Sequence, residues 1–494
     1  MATYNVHDKV AAFLNETTGL YINGEYVASK SGKTFDVLDP ATEDVIATVH
    51  EAGTEDVDLA VAAARKAFDE GEWTKMEPAE RAHIMYTFAN LLAEHQEEIA
   101  QIEALDAGKP YEAAFEDDVG GTIEHFRYYA GWATKISGKT TNVSPDYVTY
   151  TLHEPVGVVG QIIPWNYPLL MAAWKLGAAL AVGCTIVIKP AVETPLSLLY
   201  IADLFKQAGF PDGVVNIVPG DGAVAGGAIV THKDVDKVAF TGSTVVGKEI
   251  MRNAADQVKS VTLELGGKSP AIILEDADFE KAVQGALDGT MYNQGQNCTA
   301  TTRVFVQRPI YEKVVNELEK RAKEIKLGAG LDEQTTMGPL ISKKQQDRVL
   351  GYIEKGKEEG ARLVTGGGTG KEQGYFIEPT IFADVEDDMT IAREEIFGPV
   401  MSVLPFDTVE EVIQRANDSD YGLAASVWTN HIKKAHYITG KLQAGTVWVN
   451  DFGLELETMP FGGYKQSGIG REMGGDYGLM NYVEVKSVFV NMEQ

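Results

Sequence analysis

VVGQIIPWNYPLLMAAWKLGAALAVGCTIVIK, residues 158–189, decides the fold class. Its first and last segments, 158–163 and 185–189, are short runs of apolar and β-branched residues, which predict buried strands. The segment between them, from residue 168, is almost wholly apolar and predicts a buried helix. A buried strand, a helix and a second buried strand form the repeating unit of a parallel sheet that is covered on both faces.

The stretch 168–188 is also long enough to span a bilayer. Lys175 lies inside it, however, Gly177 and Gly183 interrupt it, and its last residues are β-branched. These features favour a buried helix followed by a buried strand. We therefore expect no membrane insertion.

The same rhythm extends in both directions from this segment. The flanking pattern predicts amphipathic helices over 57–68 and 81–105, and it predicts buried strands over 214–218 and 237–241. A second series predicts strands over 269–274, 303–307, 402–406, 425–429 and 446–450, and helices over 279–290 and 311–326. The fold class is therefore α/β, with two doubly wound parallel sheets, and ELGGK (264–268) is a candidate hinge between them. The alternating segment 483–491 has no later strand in its own domain, so we expect it to pair with another subunit.

Composition limits the function classes. The 494 residues predict two or three domains, and 43 Lys+Arg against 72 Asp+Glu give a net charge of −29. So acidic a surface argues against nucleic acid and anionic membranes as partners. Two cysteines make no disulfide framework, and the first residues show no signal or transit peptide, so we expect a cytoplasmic protein. The nine histidines are scattered without metal-ligand spacing, and no catalytic metal is predicted.

Cys298 lies in NQGQNCTATTR (293–303), after a polar turn and before an expected helix start at Thr299 and Thr301. A thiolate at a helix N-terminus is stabilised by free N–H groups, and it makes a good nucleophile. The alternative is a small buried thiol, which is the commoner fate of cysteine. For Cys184, in AVGCTIVIK, small and β-branched neighbours favour that alternative.

Two further residues are candidates for a role beside such a nucleophile. Glu264 lies between two leucines at the end of a β-branched segment, where burial would raise its pKa and suit a general base. Asn166 lies between two prolines, where its rigid amide can donate to an oxyanion. The alternatives are a strand-end acid that caps a turn and an ordinary Pro/Asn turn. FTGSTVVGKEI (240–250) reads as a strand, a turn and a helix whose N-terminus can hold a pyrophosphate or can simply be capped by Ser243 or Thr244.

Together these segments resemble the aldehyde dehydrogenase superfamily, in the branch that contains the NAD-dependent aldehyde and retinal dehydrogenases. The resemblance runs from residue 21 to residue 490. Seven motifs carry it in order: PWNYP (164–168), KPAVETP (189–195), FTGSTVVG (240–247), ELGGK (264–268), GQNC (295–298), EEIFGPV (394–400) and PFGGYKQSG (460–468).

The resemblance implies a role for each matching residue. Cys298 is the nucleophile, Asn166 and the Cys298 backbone N–H form the oxyanion hole, and Glu264 activates the water that releases the acid. Lys175 and Glu472 match positions linked to a proton relay. The implied cofactor is NAD, and the residues expected to bind it are Ile162, Trp165, Lys189, Val192, Gly222, Gly226, Phe240, Gly242, Ser243, Gln345, Arg348, Glu395 and Phe397.

The resemblance also implies a tunnel for the aldehyde. Its expected walls are Gly120, Gly121, Tyr167, Met171, Trp174, Tyr292, Thr299, Gly453, Glu455 and Phe461. Gly121 and Gly453 match sites that carry larger side chains in small-aldehyde enzymes, which favours bulky apolar substrates such as retinal. Glu455 and Glu457, with aromatic walls, favour instead a cationic substrate such as betaine aldehyde or an aminoaldehyde.

Family architecture implies three parts. A cofactor-binding domain covers 5–137 and 156–263, a catalytic domain covers 264–470, and an oligomerisation element covers 138–155 and 482–494. Self-association as a dimer or tetramer is expected.

Two rival functions are distinguished by the same residues. CoA-acylating relatives typically lack the acid of the ELGGK motif, so Glu264 favours hydrolysis. A catalytically silent relative would have lost Cys298 or Glu264.

In the KPAVETP motif, the acid is one place later than in many NAD-preferring relatives, at Glu193. If that side chain points away from the cofactor, NADP should be used as well as NAD.

Overall fold

The computed structural model describes residues 6–493, so Asn5 and Gln494, the outermost ends of two predicted segments, lie outside it. Within the described chain, two large sheets are each covered by helices. This confirms the predicted α/β class with two largely parallel sheets. The strand pairing within each sheet explains where the functional residues come together.

The eight-stranded sheet has five neighbouring parallel strands and antiparallel strands at its two sides. In spatial order its strands are Gly468–Ile469, Ser260–Glu264, Lys237–Thr241, Val158–Ile162, Thr185–Lys189, Val215–Ile217, Leu20–Ile22 and Glu25–Val27. The central strands are buried on both faces, which explains their continuous apolar runs.

The seven-stranded sheet is parallel except at one edge. Its spatial order is Arg362–Thr365, Thr380–Ala383, Val400–Phe406, Arg303–Gln307, Pro270–Ile273, Ala424–Trp428 and Thr446–Val449. The predicted hinge, 264–268, is the link from the last residue of one sheet strand, Glu264, toward the strand that begins at Pro270 in the other sheet.

Three small sheets complete the strands. They are Thr17–Thr18 with Val45–His50 and Thr34–Leu38, then Pro460–Phe461 with Glu472–Met473, and Tyr147–Pro155 with Val483–Asn491. We call the last pair the ribbon. Strand Val483–Asn491 pairs along its whole length with Tyr147–Pro155 of its own chain, and this pairing occupies one of its two edges. The expected pairing with another subunit therefore stays a prediction, which concerns the second edge.

The helices fill the connections between these strands. The α-helices are Asp8–Leu14, Thr54–Asp69, Pro78–Glu94, Gln96–Asp106, Tyr111–Ala113, Gly120–Ala130, Pro168–Val182, Leu196–Tyr200, Ala202–Ala208, Gly227–Thr231, Thr244–Ala255, Phe279–Met291, Tyr311–Ala322, Lys343–Glu358, Thr390–Arg393, Val409–Asn417, Ile432–Thr439 and Asp476–Leu479. Short π- and 3₁₀-helical turns are Ala114–Val119, Gly222–Gly226, Tyr292–Gly295, Arg308–Ile310, Lys465–Ser467 and Met480–Tyr482.

Two predicted helix bounds were wrong. The single helix predicted over 81–105 is broken at His95, whose backbone leaves the helical region (φ −110°, ψ 14°). Its ring hydrogen-bonds Glu98 in the first turn of the next helix at 2.9 Å. The helix predicted to reach residue 326 ends at Ala322, because the chain beyond it turns and the Lys326 carbonyl accepts a hydrogen bond from Met337.

The apolar stretch 168–188 forms the predicted helix and strand. Pro168–Val182 is buried along its length except at Leu170, and it ends at Gly183, whose φ of 100° suits glycine. Among residues 6–493, no helix combines the length and apolar character that crossing a membrane requires.

Register brings four predicted residues to one edge of the eight-stranded sheet. Ile162 pairs with Lys189 and with Phe240, and Thr241 pairs with Glu264. These are the carboxyl ends of parallel strands, where ligands of such sheets bind. The site therefore follows from the strand register.

Candidate active site

A cavity of about 800 Å³ lies at this edge and reaches the second sheet. Its wall includes Cys298, Asn166 and Glu264, the three residues for which chemistry was predicted. The wall also includes Glu395 and Phe397, which were expected to bind the cofactor, and Gly453 and Glu455, which were expected to bind the aldehyde. One space thus connects the expected cofactor residues with the expected aldehyde residues.

Cys298 lies in a turn, and the predicted helix start after it was wrong. The chain instead runs through Thr299–Thr302 into the buried strand that begins at Arg303. The predicted local helix, whose N-terminus would have stabilised the thiolate, is therefore not formed. Burial, followed by the negative charges of Glu455 and Glu264, raises the pKa of the Cys298 thiol well above its usual value.

The turn before Cys298 has an uncommon backbone. Asn293, Gln294 and Gly295 have successive φ values of 49°, 58° and 69°, all in the left-handed region. A side chain at Gly295 would meet the Gly398 carbonyl at 2.1 Å, so only glycine fits there. This turn follows the helix Phe279–Met291 and brings the segment 296–302, which carries Cys298 and is called the nucleophile segment below, to the cavity wall.

Asn166 is buried and lies two residues before the helix Pro168–Val182, whose first residue ends the PWNYP motif. Its side-chain Nδ2 donates to the Gln296 carbonyl at 2.9 Å, in the nucleophile segment. Its own backbone carbonyl accepts from Lys109 Nζ and from Asn293 Nδ2, each at 3.0 Å. Asn166 is therefore held through its side-chain amide and through its backbone carbonyl. The second N–H of the side chain can donate to another acceptor.

Glu264 belongs to a buried group of titratable side chains. Burial and then the charge of Glu472 raise the pKa of Glu264 well above its usual value. Lys175 Nζ donates to Glu472 Oε1 and to Thr241 Oγ1, each at 2.6 Å. One carboxylate oxygen of Glu264 and one of Glu472 have no hydrogen-bond partner among the described residues. The group can therefore hold and pass a proton.

Lys189 ends its strand with a buried ammonium group. Its Nζ donates to the carbonyls of Pro190 and Gly220, at 2.8 and 3.0 Å. Burial lowers the pKa of Lys189 to about 8, while the charge of Glu193 opposes this shift. Glu193 is one of the residues that line the cavity, and its carboxylate is close enough to Lys189 to affect the pKa of the lysine. The use of NADP beside NAD stays a prediction.

A second set of contacts holds the far wall. Gly267 N–H donates to Glu395 Oε1 at 3.1 Å, and a side chain at Gly266 would meet the same carboxylate at 2.2 Å. Gln345 Nε2 donates to the Phe397 carbonyl at 2.7 Å, and Arg348 to the Glu395 carbonyl at 2.7 Å. This wall is therefore built from the ELGGK link and the helix Lys343–Glu358.

Strand, turn and helix follow one another at 237–255 as predicted. Ser243 is the N-cap of Thr244–Ala255, and its Oγ accepts from the Val246 N–H at 3.4 Å. Gly242 and Ser243 both line the cavity, whereas Phe240 packs beneath Gly242. A capping role and a binding role for Ser243 are thus compatible.

The aldehyde end is aromatic and acidic. Trp174 and Phe461 are packed edge to face at 4.9 Å, and Tyr292 donates to Asp117. Gly453 faces open space, with no atom within 4 Å of where its side chain would begin. Glu455 is reached by solvent, yet the surrounding walls displace enough water to raise its pKa to about 7.

An aldehyde dehydrogenase family model matches residues 26–488. The chain belongs to the aldehyde dehydrogenase family. It is 59% identical over 491 residues to the DhaS protein of Bacillus subtilis (strain 168), with 99% of each chain covered. The NAD⁺ complex of an aldehyde dehydrogenase from Bacillus cereus is 64% identical, with a TM-score of 0.98 and 99% of each chain covered. Betaine aldehyde dehydrogenase from Staphylococcus aureus, also in complex with NAD⁺, is 43% identical, with a TM-score of 0.96 over 98% of this chain and 97% of that one.

Most predicted residues of this aldehyde dehydrogenase meet at the one cavity. Those on its wall are Gly121, Trp165, Asn166, Tyr167, Met171, Trp174, Gly242, Ser243, Glu264, Tyr292, Cys298, Thr299, Gln345, Arg348, Glu395, Phe397, Gly453, Glu455 and Phe461. Those outside the wall are Gly120, Ile162, Lys175, Lys189, Val192, Gly222, Gly226, Phe240 and Glu472. Of the second set, Lys175 and Glu472 lie behind Glu264, and Ile162 and Gly226 lie beside Lys189.

Sequence reasoning missed a group of wall residues in the aldehyde dehydrogenase cavity. They are Glu116, Asp117, Leu170, Asp288, Ile341, Ser342, Lys344, Phe452, Met473 and neighbours. Glu116 and Asp117 lie in the π-helical turn Ala114–Val119, a feature that often marks functional sites. The run EDD at 116–118 was the only signal, and a helical charge run by itself is usually solvated.

Proposed function

We propose that this aldehyde dehydrogenase uses NAD to oxidise an aldehyde to a carboxylate through a thioester on Cys298. The observation that supports it most is the shared cavity, in which the thiol lies with an amide donor, Asn166, and a buried carboxyl, Glu264. A nucleophile, an oxyanion donor and a general base are the set that acyl transfer requires.

The residues at the other end of the cavity fit a dinucleotide. The N-terminus of Thr244–Ala255 suits the pyrophosphate, Lys189 and Glu193 suit the adenosine ribose, and Glu395 suits the second ribose. Glycine at 266 leaves the space that a larger residue would take from Glu395. When bound there, NAD supplies the acceptor for the electron pair and hydrogen that leave the aldehyde carbon.

Bond formation begins at Cys298 Sγ. The thiol gives up its proton to a base, and the sulfur adds to the aldehyde carbon while the carbonyl π electrons move to oxygen. The remaining Asn166 N–H and the Cys298 backbone N–H donate to that oxygen. Loss of hydrogen with its electron pair then restores the C=O bond and leaves an acyl group on Cys298.

Glu264 acts in the second half of the reaction. It takes a proton from water, the hydroxyl adds to the thioester carbon, and the C–S bond breaks to return the thiolate and the carboxylic acid. The raised pKa of Glu264 suits a base near neutral pH, and the carboxylate of Glu472, which accepts a hydrogen bond from Lys175, can take the proton next. Because this acid is present, we propose hydrolysis and not transfer to CoA.

For the substrate, we propose a bulky apolar aldehyde, with retinal as a leading candidate. Gly453 opens the mouth of the cavity, and at Gly121 a first side-chain carbon would already touch Leu170 at 3.2 Å. Larger residues at these positions would narrow the passage beside Met171, Trp174 and Phe461. Apolar ligand surface buried there contributes about 25 cal/mol per Å².

One observation favours a second candidate, a cationic aldehyde. Five carboxylates line the aldehyde end: Glu116, Asp117, Asp288, Glu455 and Glu457. The basic side chains of the wall, Lys344 and Arg348, belong to the helix Lys343–Glu358, which contacts the cofactor candidates Phe397 and Glu395. Acids and aromatic rings together attract quaternary or primary ammonium groups.

A comparison of matched aldehydes decides between the two candidates. Betaine aldehyde and 3,3-dimethylbutanal have nearly the same shape but differ by one positive charge, and retinal and acetaldehyde differ in size. Retinal should give a higher kcat/KM than acetaldehyde, and Gly121→Met should lower only the value for retinal. A higher kcat/KM for betaine aldehyde than for all other substrates, increasing from pH 6 to 8 as Glu455 ionises, would establish the cationic candidate. Absence of NADH formation with every aldehyde would contradict the proposed function itself.

A further inference from the structure

A buried cluster of charged side chains lies behind Asn166, and the mechanism above uses none of it. Its members are Glu103, Asp106, Lys109 and Asp118, each at most 2% exposed. The cluster spans the helix Gln96–Asp106, the loop after it and the π-helical turn Ala114–Val119. Burying so many ionisable groups is costly unless each is compensated.

Lys109 is the only cation among the four, and it has three partners. Its Nζ forms an ion pair with Asp118, donates to the Asn166 carbonyl at 3.0 Å and lies 4.3 Å from the centre of the Tyr167 ring. Both Asn166 and Tyr167 belong to PWNYP and line the cavity. The ammonium group therefore contacts the loop that carries the oxyanion donor.

Asp118 is the carboxyl group that Lys109 contacts directly. Burial raises the pKa of all three carboxyl groups, and the charge of Lys109 opposes this shift at Asp118. The pKa of Glu103 is raised to about 8, which favours its protonated form near neutral pH. Glu103 Oε1 accepts from the Leu169 N–H at 3.3 Å, one turn beyond Asn166. The loop is thus held from behind at Asn166 and again at Leu169.

The front of Asn166 is held by the nucleophile segment. Asn293 Nδ2 donates to the same Asn166 carbonyl and also to Gln296 O, while Asn166 Nδ2 donates to Gln296 O. The Asn166 carbonyl is therefore held by Lys109 from one side and by Asn293, in the segment that leads to Cys298, from the other. The lysine fixes the position of the Asn166 peptide, and the peptide fixes the direction of its side-chain amide.

We propose that Lys109, anchored by Asp118, is a positioning residue for the oxyanion donor Asn166 and so sets the rate of attack at the aldehyde carbon. This rests on the proposed function, which assigns Asn166 to the oxyanion hole. Lys109 does not touch the reacting atoms. Its effect must therefore pass through Asn166.

The experiment is a double-mutant cycle on the full-length enzyme. The variants are Lys109→Met, Asn166→Ala and the two combined, and the readouts are the rate of the NADH burst, KM for acetaldehyde and Kd for NAD. Loss of an oxyanion donor costs about 10²–10³-fold, and misplacing one by about 1 Å costs up to about 10²-fold. We expect Lys109→Met to slow the burst roughly 10- to 100-fold, with KM and Kd nearly unchanged, and to have no further effect when Asn166→Ala is present.

The outcomes separate the two proposals. If Asn166→Ala leaves the burst rate unchanged, the oxyanion role in the proposed function fails. If Asn166→Ala is slow while Lys109→Met matches the wild type, or if the two effects multiply in the combined variant, the positioning role fails. A structural effect alone would lower stability without this dependence on Asn166.

Two further variants guard against unfolding. Lys109→Met with Asp118→Asn removes the lysine without leaving a buried carboxylate unpaired, and Asp118→Asn alone keeps the lysine but removes its anchor. Arg81→Met is the matched control, because Arg81 is a buried cation that donates to the Ala181 and Trp73 carbonyls away from the cavity. It should lower Tm without slowing the burst per folded enzyme. If every variant at 109 and 118 fails to fold, or if Arg81→Met slows the burst equally, the role is structural and the proposal is overturned.

Discussion

The Cys298 thiol lies where burial and nearby carboxylates oppose its ionisation, and the chain after it does not form the predicted helix. We expect Cys298→Ala to abolish NADH formation, because no other sulfur can form the thioester. Cys184→Ala is the matched control: Cys184 is fully buried, and its Sγ contacts the Tyr482 carbonyl at 3.5 Å. It should keep most of the activity. Substantial turnover by Cys298→Ala would rule out the covalent route.

Glu264 should control the second half-reaction. Because the base works when deprotonated and its pKa is raised, deacylation should speed up as pH rises and slow as pH falls through that pKa. Glu264→Gln should lower steady turnover ~10²–10⁴-fold while the first burst of NADH persists, and the pH dependence should flatten. Rapid mixing with acetaldehyde measures both phases. Unchanged steady turnover would remove Glu264 from the mechanism.

Single residues could be predicted where a short motif marks them, and not where distant segments meet. Local patterns made Cys298, Glu264 and Asn166 candidates, the resemblance gave them roles, and the structure places all three on the wall of one cavity. Lys175 and Glu472 are 297 positions apart and were suggested only by resemblance. Lys109 contacts the Asn166 carbonyl, which is 57 positions away in the sequence. The residues around Lys109 gave no signal of this contact, because the local sequence of a lysine does not show which distant group it will meet.

At the scale of elements, strands were predicted well because burial on both faces produces continuous apolar runs. The break at His95 was missed because the apolar pattern of 81–105 continues across it. Only the backbone of this one residue leaves the helical conformation. The segment after Cys298 was predicted to start a helix because its threonines resemble helix caps. In the structure this segment continues directly into the buried strand Arg303–Gln307.

The turn after Thr185–Lys189 carries the prediction on cofactor choice. Glu193 lines the cavity beside Lys189, so we expect its charge to repel a 2′-phosphate and NAD to be preferred over NADP. Glu193→Gln removes the charge at nearly constant volume and should raise kcat/KM for NADP relative to NAD by at least about tenfold. Glu193→Asp, which keeps the charge, is the control. An unchanged ratio in Glu193→Gln would show that another group selects the cofactor.

At the scale of the whole molecule, the ribbon extends the chain beyond the two sheets. Its predicted strand 483–491 was correct to the residue, but its pairing within the chain was not foreseen from that strand alone. Apolar side chains stay exposed on both strands and just after the second one: Tyr147, Val148, Tyr150, Leu152, Val485, Phe489, Val490 and Met492. Exposed apolar side chains that are clustered on one element are typical of an interface between subunits.

We therefore expect the ribbon to support self-association through contacts with a second copy of the chain. Phe489, 68% exposed, is the largest uncovered side chain of its strand, and Phe489→Glu adds a charge to the ribbon without disturbing any buried contact. The wild type should be a dimer or tetramer by light scattering after size-exclusion chromatography, and Phe489→Glu should have a smaller mass with an unchanged far-UV circular dichroism spectrum. Ile432→Glu is the matched control, because Ile432 is 67% exposed at the first position of the helix Ile432–Thr439, away from the ribbon. It should keep the wild-type mass. A monomeric wild type, or a Phe489→Glu variant of unchanged mass at low micromolar concentration, would show that the ribbon does not hold subunits together.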